Sequence, residues 1–249
     1  MMYDIKDHVA VVTGGTRGIG LAIARLILQN GGKALINGRE ETPEAGALRA
    51  EFGDDRVVFL EADVSVPEQA QDLIARAGLA FGRLDMLIHA AGGPAPGKIT
   101  DLATESWMQA FDIHVHPVFH LFKAAHALLA KNGGSVLLVS SVAGLRGCPG
   151  TVAYQTVKGA LIPLARALAF DHGSENIRVN VIAPGIIRTR FHDAMTDTAK
   201  AHNIQNRIPL RREGTVEDVA TASLELLCNP FITGEVLTID GGMSMRVTG

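Results

Sequence analysis

One stretch of the sequence decides the fold: residues 9–20, which read VAVVTGGTRGIG. Its apolar start, 9–12, predicts a short strand buried on both faces, and the apolar run at 21–29 predicts a helix. Glycines between a strand and a helix let the backbone approach a pyrophosphate, and the helix start offers free N–H groups. The spacing is G-x-x-x-G-x-G, and the alternative is an ordinary strand-to-helix turn. The context favours a dinucleotide site built from Gly14, Thr16, Arg17, Gly18, Ile19 and Gly20.

Six further apolar runs repeat the pattern of a buried strand, at 34–36, 57–60, 84–88, 136–139, 179–182 and 236–239. Helical runs lie between them, among them Pro67–Phe81, 104–111, 113–130 and 157–170. The alternation predicts an α/β fold: a doubly wound, Rossmann-like parallel sheet of seven strands with helices on both faces. No linker or repeat divides the chain, which predicts a single domain over residues 1–249. Ligands of such sheets bind at the carboxyl ends of the strands.

The composition of the 249 residues excludes several classes of protein. A net charge of −3 without a basic run argues against nucleic-acid binding. No apolar run reaches the length of about 18 residues that a membrane span needs. Residues 1–6 lack the apolar core of a signal peptide, and two cysteines form no disulfide framework. We therefore expect a cytoplasmic protein that binds neither nucleic acid nor membrane.

The end of the second predicted strand bears on the choice of cofactor. Sites that prefer NAD carry an acidic residue about 20 residues beyond the glycines, where it holds the ribose 2′-OH. Here Arg39 follows the strand, and with Arg17 it is suited to clamp a 2′-phosphate. Glu40 and Glu41 are the rival acids. The pattern favours NADP(H), and NAD(H) stays possible.

Tyr154 and Lys158 are four residues apart at the start of a helical run. That spacing places both side chains on one face of a helix. A phenol titrates near pH ~10, and a neighbouring ammonium lowers that pKa. Such a pair can exchange a proton with a reacting oxygen. The alternative is a half-buried tyrosine beside a lysine that reaches to solvent.

Taken together, these motifs resemble the short-chain dehydrogenase/reductase family in its compact form, over essentially the whole chain. The matching positions are the glycine turn at 13–20, Asp63, Ala91-Gly92, Ser141, Tyr154, Lys158, Pro184-Gly185, Thr189, 233–235 and 240–242. The subgroup looks like the 3-oxoacyl-carrier-protein reductases and the sugar or polyol dehydrogenases. The resemblance implies an NAD(P)-dependent oxidoreductase that moves a hydride between a nicotinamide and a small carbonyl or alcohol substrate. It also implies a homotetramer, in which the helices at 113–130 and 157–170 meet their symmetry mates.

The resemblance also implies roles for individual residues. Tyr154 is the acid/base, Lys158 lowers its pKa and binds the nicotinamide ribose, and Ser141 orients the substrate oxygen, with Ser140 as the alternative. The remaining cofactor contacts are Asp63 and Val64 at the adenine, Ala90, Ala91 and Gly92 at the fourth strand, and Pro184, Gly185, Ile187 and Thr189 at the nicotinamide.

Two positions depart from the family. His89-Ala90 replaces two asparagines after the fourth strand, so hydrogen bonds between strands must be replaced or lost. His114 replaces the catalytic asparagine whose backbone holds a proton-relay water. Pro117 predicts a kink at residues 113–117 that frees carbonyls for such a water. Alternatively, the imidazole itself relays protons.

Two other functions are alternatives to this one. A non-catalytic nucleotide sensor and a non-redox lyase or epimerase share the same fold. His114, His116 and His120 do not share one helix face, and we expect no metal there. The substrate loops are 93–100, 143–150 and 188–207, in which Arg146, Arg190 and Arg207 suit an acidic group or simply face solvent.

Overall fold

The computed structural model describes residues 5–193 and 195–245; residues 1–4, on which the signal-peptide expectation partly rests, lie outside them. Seven parallel strands form one sheet in the order β3-β2-β1-β4-β5-β6-β7. The strands are β1 (Val9–Thr13), β2 (Lys33–Gly38), β3 (Val57–Glu61), β4 (Met86–His89), β5 (Gly134–Val139), β6 (Ile177–Pro184) and β7 (Val236–Ile239). The predicted sheet, with its seven strands, is confirmed.

Eight α-helices accompany the sheet in the described residues. They are α1 (Gly18–Gln29), α2 (Pro43–Phe52), α3 (Pro67–Phe81), α4 (Thr104–His114), α5 (His116–Leu129), α6 (Val152–His172), α7 (Asp197–His202) and α8 (Val216–Cys228). No helix in this part of the chain has the length and apolarity needed to cross a membrane.

Helices cover both faces of the sheet, as predicted. Side chains of a strand alternate between faces, and along β1 Val9 and Val11 join one apolar cluster while Ala10 and Val12 join another. The first cluster is completed by α3, α5 and α6, and the second by α1, α2 and α8. Burial on both faces explains why the strands read as continuous apolar runs.

The strand order reverses between β1 and β4, which pair with each other while β2 and β5 lie outside them. The glycine turn after β1 and the end of β4 meet at this point. Gly14 has φ +64°, and a Cβ on it would lie 2.7 Å from the amide nitrogen of Ala91. Only glycine permits this conformation and this backbone contact. The crevice that binds ligands in doubly wound sheets therefore opens here.

Helix α2 and helix α8 were not among the predicted helices, although both carry start signals. The Thr42 hydroxyl accepts a hydrogen bond from the Ala45 amide at 3.2 Å, and Pro43 follows it. Thr215 and Asp218 form a reciprocal capping box at the start of α8. These caps would have located both helices.

The helical run over residues 104–130 breaks at Val115, whose φ and ψ are −114° and −55°. The predicted kink is therefore present. Pro117 lies within the first turn of α5 and not at the end of a continuous helix. Proline suits that position because the first amides of a helix have no helical partner.

Candidate active site

The glycine turn and the start of α1 form the first wall of the site. Arg17 caps the helix without a side-chain hydrogen bond, and no acidic residue lies in the first turn. The amides at this helix end are therefore free for an anion. Across the turn, a Cβ on Gly18 would lie 3.6 Å from the methyl carbon of Thr189. The structure thus brings the glycine turn and the loop after β6 face to face.

The charged residues after β2 are arranged differently from the prediction. Arg17 does not join Arg39 but binds Glu40 at 2.5 Å, and Glu41 binds Arg49 at 2.7 Å. Both rival acids are thus engaged by other arginines. Arg39 is exposed and makes no ion pair within the described residues, and its charge contributes to lowering the pKa of Asp63. Of the two arginines, only Arg39 is left without an ion pair among the described residues.

Asp63 and Val64 follow β3 and differ in accessibility. The Asp63 carboxylate accepts hydrogen bonds from the amide and hydroxyl of Ser65, at 2.9 and 2.7 Å, which lower its pKa. The Val64 side chain is buried in the core of the α3 face. Val64 can therefore reach an adenine only through its backbone.

Ser140 and Ser141 face opposite directions at the end of β5, as strand alternation requires. The buried Ser140 hydroxyl donates to the Lys158 carbonyl at 2.7 Å. The Ser141 hydroxyl accepts from the Ala143 amide at 3.2 Å, and its interaction with Tyr154 acts to lower the pKa of the phenol. The structure therefore brings Ser141, and not Ser140, to the tyrosine.

Tyr154 and Lys158 lie on one face of α6, with the lysine nitrogen 5.8 Å from the centre of the phenol ring. Burial raises the pKa of Tyr154, against the smaller, opposing effect of the Ser141 side chain. The expected lowering by Lys158 is therefore wrong for this structure. Burial lowers the pKa of Lys158 to about 7, and its Nζ donates to the Val139 carbonyl at 2.7 Å. A lysine that is only partly charged near neutral pH has little effect on the pKa of the phenol.

His89 makes a hydrogen bond between strands at a position where the family has an asparagine. Its Nδ1 lies 2.9 Å from the hydroxyl of Thr13, the residue paired with it on β1. The other nitrogen, Nε2, makes no hydrogen bond of normal geometry in the described residues. The ring lies beside the carbonyls of Ile113 and His114, which weakly oppose the lowering of its pKa by burial. His89 thus occupies the neighbourhood of the carbonyls where the relay water was expected.

His114 is buried at the end of α4. Its Nε2 lies 3.1 Å from the Gly93 carbonyl oxygen and 3.4 Å from the Gly93 amide nitrogen, whereas Nδ1 has no partner in the described residues. The ring packs edge-on against Tyr154 at 5.9 Å. Burial, with the charge of Lys158, lowers the pKa of His114 to about 2. The imidazole therefore stays neutral at physiological pH.

The opposite wall of the site is the loop after β6. Gly185 is held by its amide, which donates to the Ile239 carbonyl at 2.9 Å. Ile187 is buried and pairs with Gly214, and Thr189 follows it toward the glycine turn. The strand end at Pro184 and this loop therefore face the glycine turn across the crevice.

Next to Ser141 lies a cavity of about 200 Å³. Its lining residues are Val142, Ala143, Arg146, Gly147, Cys148, Asn206, Arg207, Met243 and Ser244. Two of the three arginines named from the sequence, Arg146 and Arg207, thus share one cavity, whereas Arg190 binds Glu44 at 2.8 Å. Cys148 and Met243 belong to the lining although the sequence did not single them out as site residues.

Comparison with known proteins identifies the family. A family model described as enoyl-(acyl carrier protein) reductase matches residues 14–244. The 3-oxoacyl-(acyl-carrier-protein) reductase FabG of Chlamydia muridarum is 34% identical over 247 residues, covering 96% of this chain and 98% of the relative. A short-chain type dehydrogenase/reductase from Mycobacterium ulcerans superimposes with a TM-score of 0.90 at 29% identity, covering 98% and 92% of the two chains.

The chain belongs to the short-chain dehydrogenase/reductase family.

Members of this family among the relatives act on different substrates. The 3alpha-hydroxysteroid dehydrogenase of Mediterraneibacter gnavus is 33% identical over 247 residues, covering 97% of this chain and 98% of the relative. Like these reductases and dehydrogenases, the present short-chain dehydrogenase/reductase is an NAD(P)-dependent oxidoreductase acting on carbonyl or alcohol groups. The predicted family and enzyme class are confirmed.

The buried histidines make this short-chain dehydrogenase/reductase sensitive to acid. In the unfolded chain His89 and His114 take up protons below about pH 6.5, whereas burial lowers their folded pKa values to about 3 and about 2. The free energy of unfolding therefore falls as the pH drops below about 6.5. In the variant His114→Asn, the free energy of unfolding should fall between pH 7 and pH 5 by about 2 kcal/mol less than in the wild type. Urea unfolding at both pH values and at fixed protein concentration measures this difference. An equal fall in the free energy of unfolding in variant and wild type would contradict the prediction.

Proposed function

We propose that this enzyme reduces a small carbonyl compound with NADPH, using Tyr154 as the proton donor and residues 1–249 as one dinucleotide-binding and catalytic domain. The observation that carries the proposal is the interaction of Ser141 with a half-buried Tyr154, one helical turn from Lys158. These groups lie at the carboxyl ends of β5 and at the start of α6, the edge at which doubly wound sheets bind ligands.

The residues at this edge fit a dinucleotide. The uncapped start of α1 suits a pyrophosphate, and Arg39 suits a 2′-phosphate. The unpartnered Nδ1 of His114 beside Lys158 fits a ligand with hydroxyl groups, such as a ribose, because a hydroxyl can both donate and accept. A Cβ on Gly92 would lie 2.6 Å from the His114 ring, so only glycine leaves that corner open. When bound, the nicotinamide supplies the hydride to the substrate carbon.

The raised pKa of Tyr154 suits the reductive direction. Burial keeps the phenol protonated at neutral pH, and a protonated phenol can donate to the oxygen of a carbonyl as negative charge develops there. Ser141 is placed to hydrogen-bond the same oxygen. Protonation of Lys158 would then stabilise the phenolate left behind, and its pKa of about 7 allows it to gain and lose a proton near neutral pH.

We propose that His114 holds its neighbours in place and does not transfer protons. A ring with a pKa of about 2 is not protonated at working pH, so it does not pass through an imidazolium. Its Nε2 instead fixes the Gly93 backbone at 3.1 Å, and its edge packs against Tyr154. We infer that the imidazole holds the phenol and the loop after β4 in place.

The substrate is inferred only by chemical class. Arg146 and Arg207 line the cavity next to Ser141, and two guanidinium groups favour a substrate with an anionic group. The relatives named as 3-oxoacyl-(acyl-carrier-protein) reductases make 3-oxoacyl thioesters the first compounds to screen.

The first test removes the proton donor. Tyr154→Phe should bind NADPH nearly as tightly as the wild type but lose about 10²- to 10⁴-fold in kcat, because only the hydroxyl is removed. The matched control is Thr156→Val, which removes an exposed hydroxyl from the same helical turn. Loss of less than about tenfold in Tyr154→Phe, or an equal loss in the control, would reject Tyr154 as the acid.

The second test concerns the 2′-phosphate. Arg39→Ala should weaken the binding of NADPH by about 1.5–3 kcal/mol and leave NADH binding almost unchanged, because a charge-assisted contact is lost only with the phosphate. Arg25→Ala is the control, since Arg25 is exposed on α1 and pairs with Glu51. Equal changes in Kd for both cofactors would show that Arg39 does not contact the phosphate. A wild type that prefers NADH would direct attention to Glu40 and Glu41.

The third test concerns assembly, for which we propose a homotetramer with two-fold axes. Phe119 on α5 and Phe170 on α6 are 59% and 91% exposed in the single chain, more than apolar side chains of this size favour. Light scattering should give four times the chain mass of 26.4 kDa. Phe170→Glu should weaken the assembly, whereas Leu79→Glu, at an exposed position of α3, should not. A chain mass at micromolar concentration would contradict the tetramer.

A further inference from the structure

Three side chains with metal-binding atoms meet away from the active site. They are His126 near the end of α5, His172 at the end of α6, and Glu175 in the turn that follows. The Oε2 atom of Glu175 lies 2.9 Å from Nε2 of His126 and 2.7 Å from Nδ1 of His172, and all three atoms lie within 4.8 Å of one another. His172 and Glu175 are three residues apart, whereas His126 is 49 residues from Glu175, so only the fold brings His126 to this pair.

From this arrangement we propose that His126, His172 and Glu175 bind one divalent transition-metal ion of the Zn²⁺ type. Two imidazoles and one carboxylate are a ligand set that Zn²⁺ accepts, with the fourth position taken by water. The three side chains are between 26% and 38% exposed, which leaves that position open to solvent.

The packing around the cluster holds the ligands in place before any metal arrives. Phe122 is buried beneath both rings, 4.9 Å from His172 and 6.3 Å from His126, and the two imidazoles stand 4.9 Å apart. The backbone of the Glu175 turn is tied to β5, because the Gly134 amide donates to the Asn176 carbonyl at 3.0 Å. Because these side chains are already held in place, the binding of a metal ion requires less additional ordering of them.

Only a small adjustment converts the cluster into a coordination site. Both rings currently direct a nitrogen at the same carboxylate oxygen. For bonds of about 2.0–2.1 Å in a tetrahedron, ligand atoms stand about 3.3 Å apart. The half-exposed carboxylate must therefore retreat by about half an ångström. The rings must also turn from the oxygen toward the ion, and each ring proton must move to the other nitrogen so that the lone pairs face the metal.

The site lies at the opposite edge of the sheet from the chemistry. Helices α5 and α6 run back to the starts of β5 and β6, where Gly134 pairs with Ile177. Ser141 lies beyond the other end of β5. With about 3.3 Å per residue, the six-residue strand separates the two edges by roughly 17 Å. A metal here would clamp the ends of α5 and α6 together and would not touch the reacting atoms.

Titration of untagged, chelator-treated protein with zinc chloride tests the proposal. At about pH 7.5, calorimetry should show one Zn²⁺ per chain. His126→Asn, His172→Asn and Glu175→Gln should each weaken that binding at least tenfold. The matched controls are His116→Asn and Asp112→Asn, which alter a half-exposed histidine–carboxylate pair on the same stretch of chain, 2.8 Å apart but without a second histidine. These controls should bind zinc like the wild type.

Thermal unfolding supplies a second readout. A saturating excess of zinc should raise Tm of the wild type by about 5 °C and leave the three ligand variants unchanged. Their Tm without zinc shows that they fold. The proposal is overturned by the absence of binding tighter than millimolar, by equal weakening in the controls, or by binding that survives all three substitutions but disappears in Cys148→Ser.

Discussion

The site depends on how the first turns of α6 dock against the end of β5. Two hydrogen bonds of 2.7 Å make this contact: the Ser140 hydroxyl binds the Lys158 carbonyl, and the Lys158 ammonium binds the Val139 carbonyl. A Cβ on Gly144 would lie 2.7 Å from the backbone of α6, so the turn after β5 also lies directly on the helix. The docking sets the position of Tyr154 relative to Ser141, because both are attached to the two elements that it joins.

The same docking explains the electrostatics of the site. It removes Lys158 from water, which lowers the pKa of that lysine, and the buried His89 and His114 lie near the same charge. Three basic groups in one low-dielectric region oppose each other's protonation. Neutral imidazoles at these positions can act as hydrogen-bond partners, much as the family's asparagines do. The buried histidines therefore lower the free energy of unfolding at acidic pH, which uncharged amide side chains would not do.

The two edges of the sheet have different chemistry although the same elements form them. At the carboxyl edge, strand ends and the glycine turn leave amides and small residues exposed to a ligand. At the amino edge, α5 and α6 end in histidines that share a carboxylate. Helices of a doubly wound sheet necessarily return to the amino edge, so residues near their ends can be changed with little effect on the catalytic edge.

The sequence by itself determined the sheet, its parallel strands and the glycine turn, because buried strands and strand-turn-helix junctions leave local patterns that a single chain displays. It also placed Tyr154 and Lys158 on one helix face and the break near Pro117, since both follow from backbone geometry over a few residues. Only the tertiary structure decided which serine meets the tyrosine, that Glu40 takes Arg17 away from Arg39, and that burial outweighs the lysine in setting the pKa of the phenol. It alone brought His89 to Thr13, and His126 to His172 and Glu175. The physical reason is that burial, charge pairing and coordination depend on distances between residues that are remote in sequence, which no local pattern encodes.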